Sequence, residues 1–337
     1  MPFPILFSVQ PGVPMHANDG SQSPEQNDVH QSEAIAGQAD TDKSLEPLLT
    51  EIRQKHGQSL SAILVYGSWL RGKRDTMLDF YVLVDDYTTL DSRWQGWMCS
   101  LLPPNVYHIH HQSSGPGEQQ VESRAKYALL TLERFCDAMK NDFHSYFWAR
   151  FAQPCEVLYV RDEESRQRLN GAFASATKSF LTRVVPAMGE QFSSKALWTR
   201  GLALTYQCEL RTESSNRGDS IYDFNPDYYD RATTLLAAQE PSLLVLKNGH
   251  SFENLTSGLK RKLSSFSWAT RRLQGKLLSL LRLMKAAFTF NDALEYLLWK
   301  IRRHSGLYIE PTPRQLKHPL IFAWPLLFKL YRQGAFR

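Results

Sequence analysis

Gly67 and Ser68 stand between two apolar runs, and the acid Asp79 sits at the head of the second. The first run, Ala62 to Tyr66, has the compact apolar character of a buried strand. A glycine directly after it lets the backbone turn sharply and approach a ligand closely. Such a turn presents amide N–H groups and a hydroxyl to phosphate. Arg71, Gly72, Lys73 and Arg74 follow as a basic loop, and Leu78 to Val84 reads as the second strand, closed by Asp85 and Asp86. An anion-seating turn, a basic loop and a strand carboxylate suit phosphate chemistry. Taken singly, each is also what an ordinary turn, a solvated loop and a strand-end acid look like.

The elements that must hold these groups can be read in order. Ser44 to His56 is an amphipathic helix with Leu45, Leu48, Leu49 and Ile52 on one side. A helix carrying Trp94, Trp97, Met98 and Leu101 ends at Pro103-Pro104. Val106 to His111 reads as a strand; with no carboxylate or cysteine nearby in sequence, His108, His110 and His111 read as solvated or hydrogen-bonded. Ala125 to Thr131 is a further strand bearing Lys126 and Tyr127, Leu132 to Lys140 begins a helix that runs on through Trp148, and Glu156 to Val160 is the last core strand. Residues 162 to about 215 read as helical, and SSNRGDSIYDFNPDYYD as a polar, aromatic loop whose Asp219, Asp223, Asp227 and Asp230 are solvated. Leu259 to Lys285 is basic and amphipathic, and the chain closes on an apolar, aromatic stretch from Gly306 to Arg337. The expected organisation is a polar, disordered segment over 1–43, an α+β domain with a mixed sheet over 44–160, a mostly helical domain over 161–255, and a basic amphipathic region over 256–337.

Composition bounds the function classes. Hydrophobic residues make up 42% and charged residues 22% of 337, as in ordinary globular chains. No apolar run reaches the length needed to span a bilayer. The four cysteines lack any C-x-x-C spacing, which argues against a zinc site or disulfide framework and for a reducing compartment. From Thr256 onward 16 Lys and Arg face three acids, whereas the preceding part holds 23 basic residues against 31 acids. A basic terminal third points to an anionic partner, a nucleic acid or a membrane surface.

Strand, Gly-Ser, basic loop and an acid-led strand together resemble the polymerase-β-like nucleotidyltransferases. That resemblance implies a Gly-Ser turn holding a nucleoside triphosphate and strand acids holding Mg2+. The usual pattern has two acids two residues apart; here Met77 takes the earlier position and Asp79 remains. The block YGSWLRGKRDTMLDFYVLVDD is similar to the mitochondrial Tam-type phosphatidate cytidylyltransferases, the peripheral CDP-diacylglycerol synthases of the cardiolipin pathway, which share the Met at that position. Lys126-Tyr127 resembles the Lys-Tyr of those enzymes; Tyr146, Arg150 and Pro154 resemble a Tyr-x3-Arg-x3-Pro; Thr205-Tyr206 with Glu209 and Arg211 resembles a Ser-Tyr-x-Gly-Asp-x-Arg motif; and Lys285 to Phe288 resembles a late Lys-Gly-x-Phe-Thr segment.

The resemblance implies transfer of CMP from CTP to phosphatidic acid, giving CDP-diacylglycerol and pyrophosphate. Asp79 would hold Mg2+, with Lys126 and Arg150 catalytic beside it. Tyr66, Gly67, Ser68, Trp69 and Arg71 would seat the nucleotide, and Tyr127, Glu209, Arg211 and Lys285 are further candidates. A bilayer substrate assigns the basic tail to an anionic membrane surface rather than to nucleic acid. The absence of an Arg-rich presequence points to a peripheral protein on the cytoplasmic face, in a bacterial or cytosolic version rather than a mitochondrial precursor. Two other readings stay open: a nucleotidyltransferase acting on RNA or a small soluble acceptor, and an inactive nucleotide- or lipid-binding module.

Overall fold

The runs on either side of the Gly67–Ser68 turn pair with each other. The computed structural model describes residues 45–72, 77–90, 93–113, 121–210, 217–249 and 251–289. Helix α1, Glu46–His56, leads through a 3-10 turn into β1, Leu60–Val65, which lies antiparallel to β2, Leu78–Val84. Helix α2, Arg93–Leu101, is followed by β3, Asn105–Ser113, and β4, Val121–Thr131. Helices α3, Leu132–Asn141, and α4, Trp148–Phe151, precede β5, Glu156–Val160. The five strands form one mixed sheet in the order β3-β4-β2-β1-β5, with β2 and β4 parallel.

Both faces of this sheet are covered, so β1 is buried along its whole length and reads as a continuous apolar run. Alternation along β2 and β4 decides which residue meets which layer. Phe80, Val82, Tyr127 and Leu129 pack beneath Leu48, Leu49 and Ile52 of α1. Tyr81, Leu83, Ala128 and Leu130 face Phe135, Phe147 and Phe151 on the other side. That second core continues without a break into the helices that follow. They are α5, Glu163–Val184; α6, Ser194–Tyr206; α7, Arg217–Tyr222; and α8, Pro226–Gln239. The fold is α+β, a mixed sheet with helices followed by a mostly helical part.

Three features depart from the sequence reading. The helix starting at Leu132 stops at Asn141 instead of running through Trp148. Asp142 is extended there, Arg134 grips its carboxylate with two hydrogen bonds of 2.8 and 2.9 Å, and Trp148 Nε1 donates to its carbonyl. The stretch expected as a polar loop holds α7 and α8. Asn225 caps α8 by accepting the Tyr228 N–H at 3.2 Å, and Pro226 occupies the first turn, a helix-start signature that the many aspartates obscured. A second, three-stranded sheet was not anticipated: β6, Gln191–Ser193; β7, Leu244–Lys247; and β8, Ser251–Asn254, in the order β6-β8-β7.

The basic amphipathic stretch is one long helix, α9, Gly258–Thr289. Trp268 fixes it to the core: its ring lies 6.3 Å from that of Trp148 and its Nε1 donates to the Arg183 carbonyl at 3.2 Å. Gly275 marks where α9 crosses the end of α6, since a Cβ there would stand 2.2 Å from the Cys208 carbonyl oxygen. The expectations for 1–43 and for the closing stretch from Gly306 lie outside the described residues. Among the described residues no helix is long and apolar enough to cross a membrane.

Candidate functional site

The parallel register of β2 and β4 sets Asp79 opposite Lys126, and their side chains meet with Nζ 2.9 Å from Oδ1. The antiparallel register of β3 and β4 sets His108 opposite Lys126. Partners across a ladder share a face, so His108, Lys126 and Asp79 form one row across three strands. The row meets the Gly67–Ser68 turn at its β1 end, where the Tyr66 N–H bonds the Asp79 carbonyl at 3.4 Å. Gly67 has φ of +91°, a conformation that favours glycine. A Cβ on it would lie 4.0 Å from Asp79 Oδ2, so the turn runs directly beside the carboxylate. Ser68 opens a short 3-10 turn, Trp69–Arg71, in which the Arg71 N–H bonds the Ser68 carbonyl at 3.1 Å.

The sequence-derived candidates divide by position. Tyr66, Gly67, Ser68, Asp79 and Lys126 are brought together. Trp69 packs against the α1-side core. The charge of Arg71 acts on Tyr229 of α8, whose phenol burial pushes upward and Arg71 pulls back. Tyr127 is on the opposite face of the sheet from Lys126. It stacks on Tyr107 with ring centroids 5.2 Å apart and shares a 3.3 Å hydrogen bond with His56 Nε2. Lys285 is buried and donates to the carbonyls of Leu102 and, at 2.7 Å, Pro104; that burial pushes its amine down to about 8, with Cys99 opposing. It clamps α9 to the segment before β3. Arg211, Lys73 and Arg74 lie outside the described residues.

Arg150 and Glu209 pair beneath the row. Arg150 Nη2 lies 2.8 Å from Glu209 Oε2, Nη1 donates to the Tyr146 carbonyl, and the guanidinium stacks 3.8 Å from the Tyr146 ring centre. Burial opposes the Arg150 charge, but Glu209 and the phenols of Tyr146, Tyr81 and Tyr66 hold it firmly protonated. Tyr66 and Tyr81, whose rings are 5.2 Å apart, both act on the Arg150 charge, and Tyr81 lies two residues along β2 from Asp79. The sequence reads His108 as an ordinary solvated or hydrogen-bonded strand histidine. Its alternation along β3 is visible there, but only the pairing with β4 puts it beside Lys126.

The Mg2+ expected from the resemblance can be tested against the donor set. Asp85 and Asp86 sit at the far end of β2, roughly 20 Å along the strand. Asp85 is already engaged by Ser61 at 2.7 Å and by Arg161. Among the described residues no group of three or more His, Cys, Asp or Glu could hold a metal. Asp79 contributes one carboxylate with Oδ1 taken by Lys126 and Oδ2 beside the glycine turn. That set fits a hard cation that keeps waters and phosphate oxygens as its other ligands, as Mg2+ does, and does not fit an all-protein cage.

No known family profile matches the chain, and no curated protein matches it. Among solved structures it is similar to a nucleotidyltransferase-like protein from Exiguobacterium sibiricum 255-15, with 11% identity, 87% of this chain and 91% of that chain covered, and a TM-score of 0.22. The likeness is to a nucleotidyltransferase-like protein at the coarsest level and shows nothing about substrate or metal.

Proposed function

We propose that the chain is a nucleotidyltransferase that moves CMP from CTP to phosphatidic acid at a membrane surface, giving CDP-diacylglycerol and pyrophosphate. The observation that carries the reading is the Asp79–Lys126 pair set 2.9 Å apart directly beside the Gly67 turn. A carboxylate, an ammonium and a positive-φ turn brought together at one end of the sheet are the groups needed to seat and neutralise a triphosphate.

In this reading a phosphate oxygen of the acceptor attacks the α-phosphorus of CTP, and the bond to the bridging oxygen of pyrophosphate breaks. The nucleophile is already an anion, so no strong general base is required, and alignment with charge neutralisation suffices. Gly67 lets the backbone approach the triphosphate, Ser68 offers its hydroxyl, and Lys126 offers an ammonium to phosphate oxygens. Asp79 would hold Mg2+ through Oδ2; when bound, the ion supplies neutralisation at the phosphorus under attack.

The lipid acceptor is supported by the sequence resemblance and by α9. Leu259, Leu263, Phe266, Leu273, Leu277 and Leu281 recur at helical spacing and are exposed, Phe266 at 73% and Leu273 at 74%. Lys260, Lys262, Arg272 and Lys276 are exposed among them. An apolar stripe edged by cations suits the interface of an anionic bilayer.

A second reading, a nucleotide-binding module without transfer, is favoured by one observation: Lys126 already neutralises Asp79, the row's carboxylate. Labelled CTP incubated with the full chain, Mg2+ and phosphatidic acid liposomes separates the two. Label in the lipid fraction supports transfer; CTP binding without transfer supports the second reading; label moving instead to added RNA or a soluble phosphate ester would reassign the acceptor.

A further inference from the structure

Helix α2 turns two large apolar side chains to the outside, Trp97 at 54% and Leu101 at 66% exposed. They are four residues apart and so share one face of the helix. The opposite face is packed: Cys99 is buried with its Sγ donating to the Leu129 carbonyl at 3.3 Å. Gly96 is pressed against Tyr87, whose Cβ would stand 3.3 Å from a Cβ at that position. The outward pair is therefore not left over from a loosely held helix; α2 is seated on the sheet and presents them.

This pair lies where the α9 stripe ends. The residues directly after Leu101 are held by α9: Lys285 donates to the carbonyls of Leu102 and Pro104, and Arg282 Nε donates to the Pro103 carbonyl at 3.0 Å. Leu281 precedes Arg282 and is one turn before Lys285, so it stands at the same junction. At 3.6 residues per turn, the exposed apolar side chains from Leu259 to Leu281 fall within an arc of about 80°. The most exposed of them, Leu259, Phe266 and Leu273, project from the surface and do not line a groove. Charge narrows what can cover the surface. From Gly258 to Thr289 there are eight Lys and Arg and no acid, and α2 adds Arg93 and no acid. A second copy would set cation against cation, so the occupant is anionic.

We propose that α2 is a second contact with an anionic bilayer, in which Trp97 and Leu101 enter the boundary between headgroups and acyl chains beside the C-terminal end of the α9 stripe. The inference rests on the membrane reading of α9 and adds to it a separate element. Projecting side chains suit insertion into hydrocarbon, whereas a partner helix would need a groove to lie in. An indole suits that depth, because its ring is apolar and its N–H can reach a headgroup. The second contact has a mechanical consequence. A single helix lying on a bilayer can roll about its own axis. A contact from α2, which leads directly into β3, removes that freedom and fixes how the sheet carrying Lys126 and Asp79 is turned toward the lipid.

The test is binding of the full-length protein to phosphatidylcholine vesicles containing a minority of phosphatidylglycerol, which supplies an anionic surface without being the acceptor. Trp97→Ser with Leu101→Ser should weaken binding about tenfold or more and leave the melting temperature unchanged, since both side chains are exposed. Trp97→Phe keeps an apolar ring and should bind within about threefold of the native protein. With phosphatidylcholine brominated in its acyl chains, tryptophan fluorescence of the native protein should be quenched on binding, and Trp97→Phe should lose part of that quenching. This second readout decides the matter if the double serine variant does not fold. Native-like vesicle binding by a folded double serine variant, or full quenching retained in Trp97→Phe, overturns the proposal. If Leu273→Glu with Leu277→Glu releases the protein while the α2 variants do not, α9 alone carries the membrane reading and only the present inference falls. An intact protein that ignores anionic vesicles overturns both and leaves the surface to an acidic protein partner.

Discussion

Replacing Lys126 by Met separates a catalytic cation from a structural ion pair. Two unit charges 2.9 Å apart attract by about 1.4 kcal/mol in water and about 6 kcal/mol at an effective dielectric of 20. The side chains of Lys126 and Asp79 are 37% and 25% exposed, which places the pair near the watery limit. Exposed pairs of this kind contribute about 0–1 kcal/mol once desolvation and side-chain ordering are included. Met keeps the aliphatic stem and its packing, so Lys126→Met should lower unfolding stability by no more than about 1 kcal/mol. Removing a positioned charge that meets the transferring phosphate should instead slow transfer about 100- to 1,000-fold. The assay pairs denaturant unfolding with transfer of label from CTP to phosphatidic acid liposomes. Asp79→Asn should behave alike, with near-native stability and transfer reduced by orders of magnitude. A Lys126→Met protein that loses more than about 3 kcal/mol would show a structural pair and refute the exposure argument. One that folds normally and turns over within twofold of the native rate would remove Lys126 from the site.

Other consequences follow from burial. Glu209→Gln strips the counter-charge from buried Arg150 and should cost about 3–5 kcal/mol in urea unfolding, with much of it recovered in the Arg150→Met, Glu209→Gln double variant. A small, additive loss would mean that the two groups are solvated. Burial, then the charges of Arg282, Arg134 and Arg150, holds the folded His144 imidazole down to about 3, against about 6.5 for the unfolded chain. Between those values the unfolded chain binds more protons, so its stabilising neutrality is complete above about pH 6.5 and is lost as pH falls toward 3, by up to about 5 kcal/mol. His144→Gln should flatten that acid limb of the stability profile; an unchanged limb would assign it to other groups. Leu273→Glu with Leu277→Glu on α9 should release the protein from anionic liposomes without lowering its melting temperature, since both side chains are exposed. Undiminished co-sedimentation would place any membrane contact elsewhere.

What could be read from the sequence was what neighbours along the chain decide. The Leu78–Val84 strand, the glycine turn after β1 and the long basic helix all declare themselves through local alternation, backbone freedom and helical spacing. Gly67, Ser68 and Asp79 were therefore legible as candidates. The capped start of α8 at Asn225-Pro226 is equally local, but four aspartates around it give the stretch the look of a solvated loop. Strand order was not local. His108, Lys126 and Asp79 are far apart in sequence and become a row only because β4 inserts between β3 and β2. Tyr127, adjacent to Lys126, goes to the opposite face for the same alternation that makes the strand. Lys285 and Arg282 read as members of a basic helix face, yet the crossing of α9 over Cys208 at Gly275 turns both inward. Burial then decides their chemistry, because a charge taken out of water must find a carbonyl, a ring or an anion, and which of these it meets depends on what the fold packs against it.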